Sequence, residues 1–184
     1  MTSALDMLAS ALENLRIPYL IGGSLASSTH GVLRATLDVD ILAAVESRHA
    51  DALCVALGDT WYADAEEIRG AIGAGRAFNL IHMPSVRKFD IFPAICDFHF
   101  SELQRATRIE VEAFGERTIC PVASAEDVLL AKLHWYRAGG EVSERQWTDI
   151  AGLLAANPGL DFGYVGEWAR KLGVDALLQK ALRA

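Results

Sequence analysis

Tyr19-Leu20-Ile21-Gly22-Gly23-Ser24, followed after thirteen residues by Asp38-Val39-Asp40-Ile41-Leu42, is the stretch on which the reading of this chain turns. Tyr19 to Ile21 reads as a short buried strand, and Gly22-Gly23-Ser24 as a turn into a helix over Leu25 to His30. Thr36 to Val45 is rich in β-branched residues and leucine, so it reads as a strand despite its two aspartates. Residues two apart in a strand share a face, so Asp38 and Asp40 project together while Val39 and Ile41 point to the opposite layer. Two carboxylates held side by side in an apolar strand raise each other's pKa or recruit a cation, and hard oxygen donors suit Mg²⁺ or Mn²⁺ rather than zinc. The same pair also fits a strand end with solvated aspartates.

Two neighbouring features weigh against that plainer reading. Asp90 interrupts a second apolar strand, Phe89-Asp90-Ile91-Phe92, and sheet pairing could bring it beside the first two carboxylates. Gly22-Gly23-Ser24 places free backbone N–H groups and a hydroxyl at a helix N-terminus, where a phosphate is favoured.

Around this centre the periodicity predicts an amphipathic helix from Ala4 to Leu15, built on Leu5, Leu8, Leu12 and Leu15. Ser47 is expected to cap a helix over Arg48 to Leu57, and a polar helix should cover Asp64 to Ile72. Ala77 to His82 and Lys88 to Phe92 form a hairpin across Pro84-Ser85, and Arg108 to Ala113 pairs with Thr118 to Val122 across Gly115-Glu116. Ser124 and Ser143 then open helices over Val128 to Arg137 and Arg145 to Ala155, and two short helices follow Asn157-Pro158. Trp135, Trp147 and Trp168 are expected to form the core of this tail. The expected fold class is α/β (α+β): a small mixed sheet flanked by helices, with a core over residues 1–122 and a helical tail over 123–184 packed on it.

The composition narrows the function classes. Of 184 residues, 52% are hydrophobic, and 24 Asp and Glu outnumber 17 Lys and Arg, for a net charge of −7. The charge is even: 11 acidic and 7 basic residues up to Ala94, 13 and 10 beyond it. Neither half offers a basic surface to nucleic acid or membrane. Cys54, Cys96 and Cys120 are widely spaced and lack zinc spacing, and no leader or apolar run of membrane length is apparent, so a reduced, cytoplasmic setting is expected. The glycines Gly70, Gly73 and Gly75 have the wrong order for a dinucleotide fingerprint. His30 and His134 lie near the motifs but read as satisfied or exposed histidines.

The combination of Gly22-Gly23-Ser24, Asp38-Val39-Asp40 and a distal Asp90 resembles the polymerase-beta-type nucleotidyltransferase superfamily. The resemblance implies that the turn (Gly22, Gly23, Ser24) holds a nucleoside triphosphate and that Asp38, Asp40 and Asp90 hold two Mg²⁺ or Mn²⁺ ions. Arg34 and Thr36 look like the basic and small residues some members carry before the DxD. The tail, Asp127 to Leu133 with Lys132, then Arg145 to Ile150 with Asp149, is similar to AbiEii-type nucleotidyltransferases, a group that includes toxins of toxin–antitoxin systems. That resemblance implies that Lys132 and Asp149 face the nucleotide and that an antitoxin protein is a possible partner. On residues alone, Lys132 could equally snorkel to solvent, and Asp149 could pair with Arg145 one turn earlier. The group's middle basic motif has only Arg76 or Arg87-Lys88 as candidates. The implied activity is transfer of a nucleoside monophosphate from an NTP to an acceptor hydroxyl on a small molecule, a tRNA end or a protein. The alternative is a non-catalytic nucleotide-binding or protein-binding module of the same fold.

Overall fold

The computed structural model describes residues 3–32 and 38–183; Arg34 and Thr36 lie outside them. Helix α1 (Ala4–Asn14) starts where the sequence predicts, because Ser3 accepts the Asp6 N–H at 2.9 Å while the Asp6 carboxylate accepts the Ser3 N–H at 3.3 Å. It buries Leu5, Leu8 and Leu12. Strand β1 (Tyr19–Ile21) leads through the glycine turn into α2 (Gly23–Thr29), and β2 (Asp38–Ala43) carries the aspartates. A single 3₁₀ turn, Ser47–His49, precedes α3 (Ala50–Leu57). Ser47 is therefore not a helix cap. Glu46 caps that turn, its N–H donating to His49 Nδ1 at 3.0 Å, and α3 follows His49 with no side-chain cap.

Next come β3 (Trp61–Tyr62), α4 (Ala65–Gly73), and the hairpin of β4 (Phe78–His82) and β5 (Arg87–Pro93). Helix α5 (Asp97–Arg105) separates these from the second hairpin, β6 (Thr107–Ala113) and β7 (Glu116–Val122). The tail contains α6 (Ala125–Ala138), α7 (Glu144–Ala156), α8 (Phe162–Lys171) and α9 (Asp175–Ala181). Ser124 and Ser143 cap α6 and α7 as expected, accepting the N–H groups of Asp127 and Gln146.

Two elements escaped the sequence reading. A two-residue strand is too short to show a period, and β3 exists because Trp61 and Tyr62 pair with His82 and Ile81. Helix α5 has no capping side chain at Cys96 and buries only Phe98 and Glu102, so neither a start signal nor an apolar stripe announces it.

The strands form one seven-stranded mixed sheet in the order β3-β4-β5-β2-β1-β7-β6. β2 lies at its centre, antiparallel to β1 and parallel to β5. Along β2 and β5, Val39, Ile41, Phe89 and Ile91 are fully buried on one face, as the two-residue period requires. Helices α1, α3 and α4 pack on one another, whereas α2 lies between β2 and α6, bringing the tail to the aspartate strand. One continuous apolar cluster joins Leu5 and Leu8 to Leu129, Leu153 and Leu178.

Candidate active site

The parallel register of β2 and β5 places Asp38 opposite Lys88, Asp40 opposite Asp90 and Leu42 opposite Phe92. Asn79 of β4 pairs with Asp90 from the other side. Directly paired residues share a face, so Asp38, Asp40 and Asp90 emerge together on the face opposite Val39 and Phe89. Pairing of strands about fifty residues apart thus puts the three aspartates singled out in the sequence on one face.

The glycine turn closes over Asp40. Gly22 N–H donates to the Asp40 carbonyl at 2.9 Å, extending the β1–β2 ladder into the turn. Gly23 has φ +55°, and a Cβ there would stand 1.8 Å from Asp40 Oδ2. Glycine is required on both conformational and steric grounds. The Ser24 backbone N–H lies close enough to the Asp40 carboxylate to favour its charged form.

Burial, and next the charge of Asp90, push the Asp40 carboxyl above its ordinary range, and Asp38 adds to this. The Ser24 N–H and the Lys132 ammonium oppose the shift. Lys88, which the sequence offered only as a candidate for a basic motif, stands inside the cluster. Its Nζ lies 3.1 Å from both Asp38 Oδ2 and Asp90 Oδ2, and these partners raise its pKa, with the Asp90 hydrogen bond contributing most.

Lys132 reaches the same region from α6. Its Nζ donates to Asp149 Oδ2 at 2.8 Å, with both side chains nearly buried at 12% and 9% exposure. The ammonium therefore does not snorkel into solvent. Asp149, one helix further on, fixes it at a position where its charge acts on Asp40.

Further along β5 the face turns aromatic. Phe92 meets Trp135 of α6 edge-on at 6.1 Å, and Trp135 is 54% exposed. Trp135 therefore departs from the expected tail core, which Trp147 and Trp168 do join. It projects between helix and sheet because α6 turns its Leu129, Leu130 and Leu133 side inward. His134 is exposed, and His30 is held by the Ala123 carbonyl at 2.8 Å.

The arrangement offers hard oxygen donors, glycine backbone and a fixed ammonium. Among the described residues no group of three or more His, Cys, Asp or Glu is already converged on a metal position, and Lys88 lies where two of the aspartates meet. The donor set nevertheless fits a divalent cation: it is all oxygen, its members repel through Asp40, and a cation already sits between two of them.

The sequence matches no family model and no curated protein. By structure, the chain is similar to the antibiotic-resistance factor ANT(2'')-Ia in solution, at 14% identity, covering 98% of this chain and 96% of that one with a TM-score of 0.52. It is also similar to crystalline ANT(2'')-Ia in complex with adenylyl-2''-tobramycin, at 16% identity, 91% and 94% coverage and a TM-score of 0.50. The chain therefore shares the mixed α/β fold of ANT(2'')-Ia, and the fold class is the one expected from the sequence. Among the described residues no helix is long and apolar enough to cross a membrane.

Proposed function

We propose that this protein is a nucleotidyltransferase that moves a nucleoside monophosphate from an NTP to an acceptor hydroxyl, releasing pyrophosphate. The observation that carries this reading is the convergence on one sheet face of Asp40 and Asp90, with Gly23 closed over Asp40 and the Lys132 charge acting on it.

In this reading Asp38, Asp40 and Asp90 would hold two Mg²⁺ or Mn²⁺ ions, which when bound polarise the α-phosphate and lower the pKa of the acceptor hydroxyl. Asp90 accepts the hydroxyl proton as the new oxygen–phosphorus bond forms and the bond to pyrophosphate breaks. The Gly23 N–H and the Ser24 hydroxyl hold the triphosphate, with Gly22 setting the turn. Lys132 offsets charge developing on the leaving pyrophosphate, and Asp149 positions Lys132. The division into a core over 1–122 and a tail over 123–184 then has a functional sense: the core carries the carboxylates and the tail carries the ammonium.

A small-molecule hydroxyl is the acceptor class best supported, by the fold likeness to ANT(2'')-Ia and by a net charge of −7 that disfavours long phosphate backbones. The exposed Trp135 edge beside Phe92 suits a ring-containing acceptor. The toxin-type reading, with an antitoxin partner, draws on the Lys132 and Asp149 pair, which is what such a tail would place over the carboxylates.

The test incubates the protein with each α-labelled NTP, Mg²⁺ and a cell extract, and follows label into product with pyrophosphate release. Binding is read in parallel: Mg²⁺ and NTP at about 100 times Kd should stabilise by about 2.7 kcal/mol, raising Tm by roughly 5–11 °C. Binding without transfer in any extract would favour the non-catalytic module. No transfer and no binding with all four NTPs, in Mg²⁺ or Mn²⁺, would overturn the reading.

A further inference from the structure

We propose that Lys88 is a built-in, exchangeable counter-ion of the carboxylate cluster: its ammonium holds Asp38 and Asp90 together in the cation-free protein and must leave them before a divalent cation can bind. Lys88 thereby sets the affinity of the site for divalent cations. The inference rests on the reading of the three aspartates as cation ligands.

The geometry gives the exchange its necessity. Lys88 Nζ lies 3.1 Å from Asp38 Oδ2 and 3.1 Å from Asp90 Oδ2, so it uses one oxygen from each of two neighbouring strands. A divalent cation bridging those strands needs oxygens from the same two carboxylates, and the two cations would repel at that separation. The carboxylates outnumber the Lys88 ammonium, which relieves part of their repulsion and leaves an attraction for a divalent cation.

The two lysines near the site differ in what holds them. Lys132 and Asp149 form a nearly buried pair, whose separation would strand a charge away from water. Lys88 is 37% exposed on a four-carbon stem, and Asp38 is 42% exposed. A half-exposed ammonium can swing into solvent and be rehydrated there, so its departure carries no comparable penalty. Lys132 is thus the fixed cation of the site and Lys88 the displaceable one. The sequence hides this distinction, because the exposure of each lysine and the carboxylate that holds it are set by packing and strand register.

The experiment titrates Mn²⁺ alone into wild type, Lys88→Met and Arg87→Met, counting free ion by electron paramagnetic resonance, and records Tm in EDTA and in Mn²⁺. Arg87 is the charge control: it precedes Lys88, stacks over the Phe114 ring at 4.3 Å, and by strand alternation projects from the other face. Lys88→Met is expected to bind Mn²⁺ about three- to thirty-fold more tightly than wild type, the factor two part-exposed ion pairs allow. It should also melt lower in EDTA and gain more in Tm from Mn²⁺. Arg87→Met should stay within about twofold of wild type in Mn²⁺ affinity. Mn²⁺ binding by wild type with equal or weaker binding by Lys88→Met overturns the inference and leaves the aspartates as ligands. Equal tightening by Arg87→Met also overturns it, since a diffuse charge effect would then suffice. Failure of all three proteins to bind Mn²⁺, with NTP added as well, overturns the inference together with the functional reading beneath it.

Discussion

Replacing Asp40 by Asn removes one negative charge from the cluster while nearly keeping its shape. Asp40 pairs with Asp90 across parallel strands, whose spacing is about 4.8 Å. Two carboxylates about 5 Å apart repel by about 3 kcal/mol at an effective dielectric of about 20. Burial, the largest contribution, adds to this cost, and the Ser24 N–H, Lys132, and Lys88 on Asp90 offset most of the sum. A net cost of about 1 kcal/mol is left for ionised Asp40. The sign follows from the raised carboxyl: native Asp40 holds its proton more firmly than the unfolded chain does. Its contribution is therefore most favourable below the unfolded value of 3.8 and is lost as pH rises through the higher native one.

At pH 7 in EDTA, Asp40→Asn should melt about 2–4 °C above wild type. The gap should close as pH falls below about 4, where both proteins are neutral at this position. Asp38→Asn should behave oppositely, because it gives up an ion pair with Lys88, losing about 0.5–1 kcal/mol and 1–4 °C; Asp90→Asn gives up such a pair but also relieves the repulsion with Asp40, so it should fall between the two. Scanning calorimetry on the four proteins at pH 7 and at pH 3.5 checks this. Equal destabilisation by all three substitutions, unchanged between the two pH values, would refute the electrostatic reasoning.

Three other outcomes follow from the same contacts. Gly23→Ala must push the Asp40 carboxylate aside and hold a left-handed backbone, so it should cost about 1–2 kcal/mol in urea unfolding and erase the NTP-dependent rise in Tm. Lys132→Met should lower stability by about 3 kcal/mol as well as weaken NTP binding, since it leaves Asp149 in a nearly buried setting without its ammonium; Lys132→Met with Asp149→Leu should recover much of that stability but none of the binding, as chemical denaturation and nucleotide titration would reveal. Burial, reinforced by Asp127, pushes Glu102 up to about 9, so native stability should decline as pH rises from about 4.5 to 9; Glu102→Gln should abolish that part of the decline in denaturation curves taken across the range.

Much of the local structure was legible because local rules govern it. The Ser3, Ser124 and Ser143 caps, the leucine period of α1, and the hairpins around Pro84-Ser85 and Gly115-Glu116 are settled by residues within a few positions of one another. Ser47 failed as a cap because Glu46 and His49 offer a competing local pair, and β3 and α5 escaped because their stability comes from partners distant in sequence.

The site divides along the same line. Alternation along a strand is intrinsic to the chain, so it was enough to put Asp38 with Asp40, and Asp90 apart from Phe89 and Ile91, on the polar side of their strands. Register is not intrinsic: only the parallel pairing of β2 with β5 decides that Asp40 meets Asp90 rather than Lys88, and that Lys88 lies between two aspartates. Nor could the sequence choose between snorkelling and pairing for Lys132, because that depends on how α7 packs against α6 and delivers Asp149 to it. The chain by itself determined which polar groups share a strand face, since that depends on residue type and local period. Tertiary structure decided their charge balance, since Coulomb energy depends on distances that only packing and strand register set.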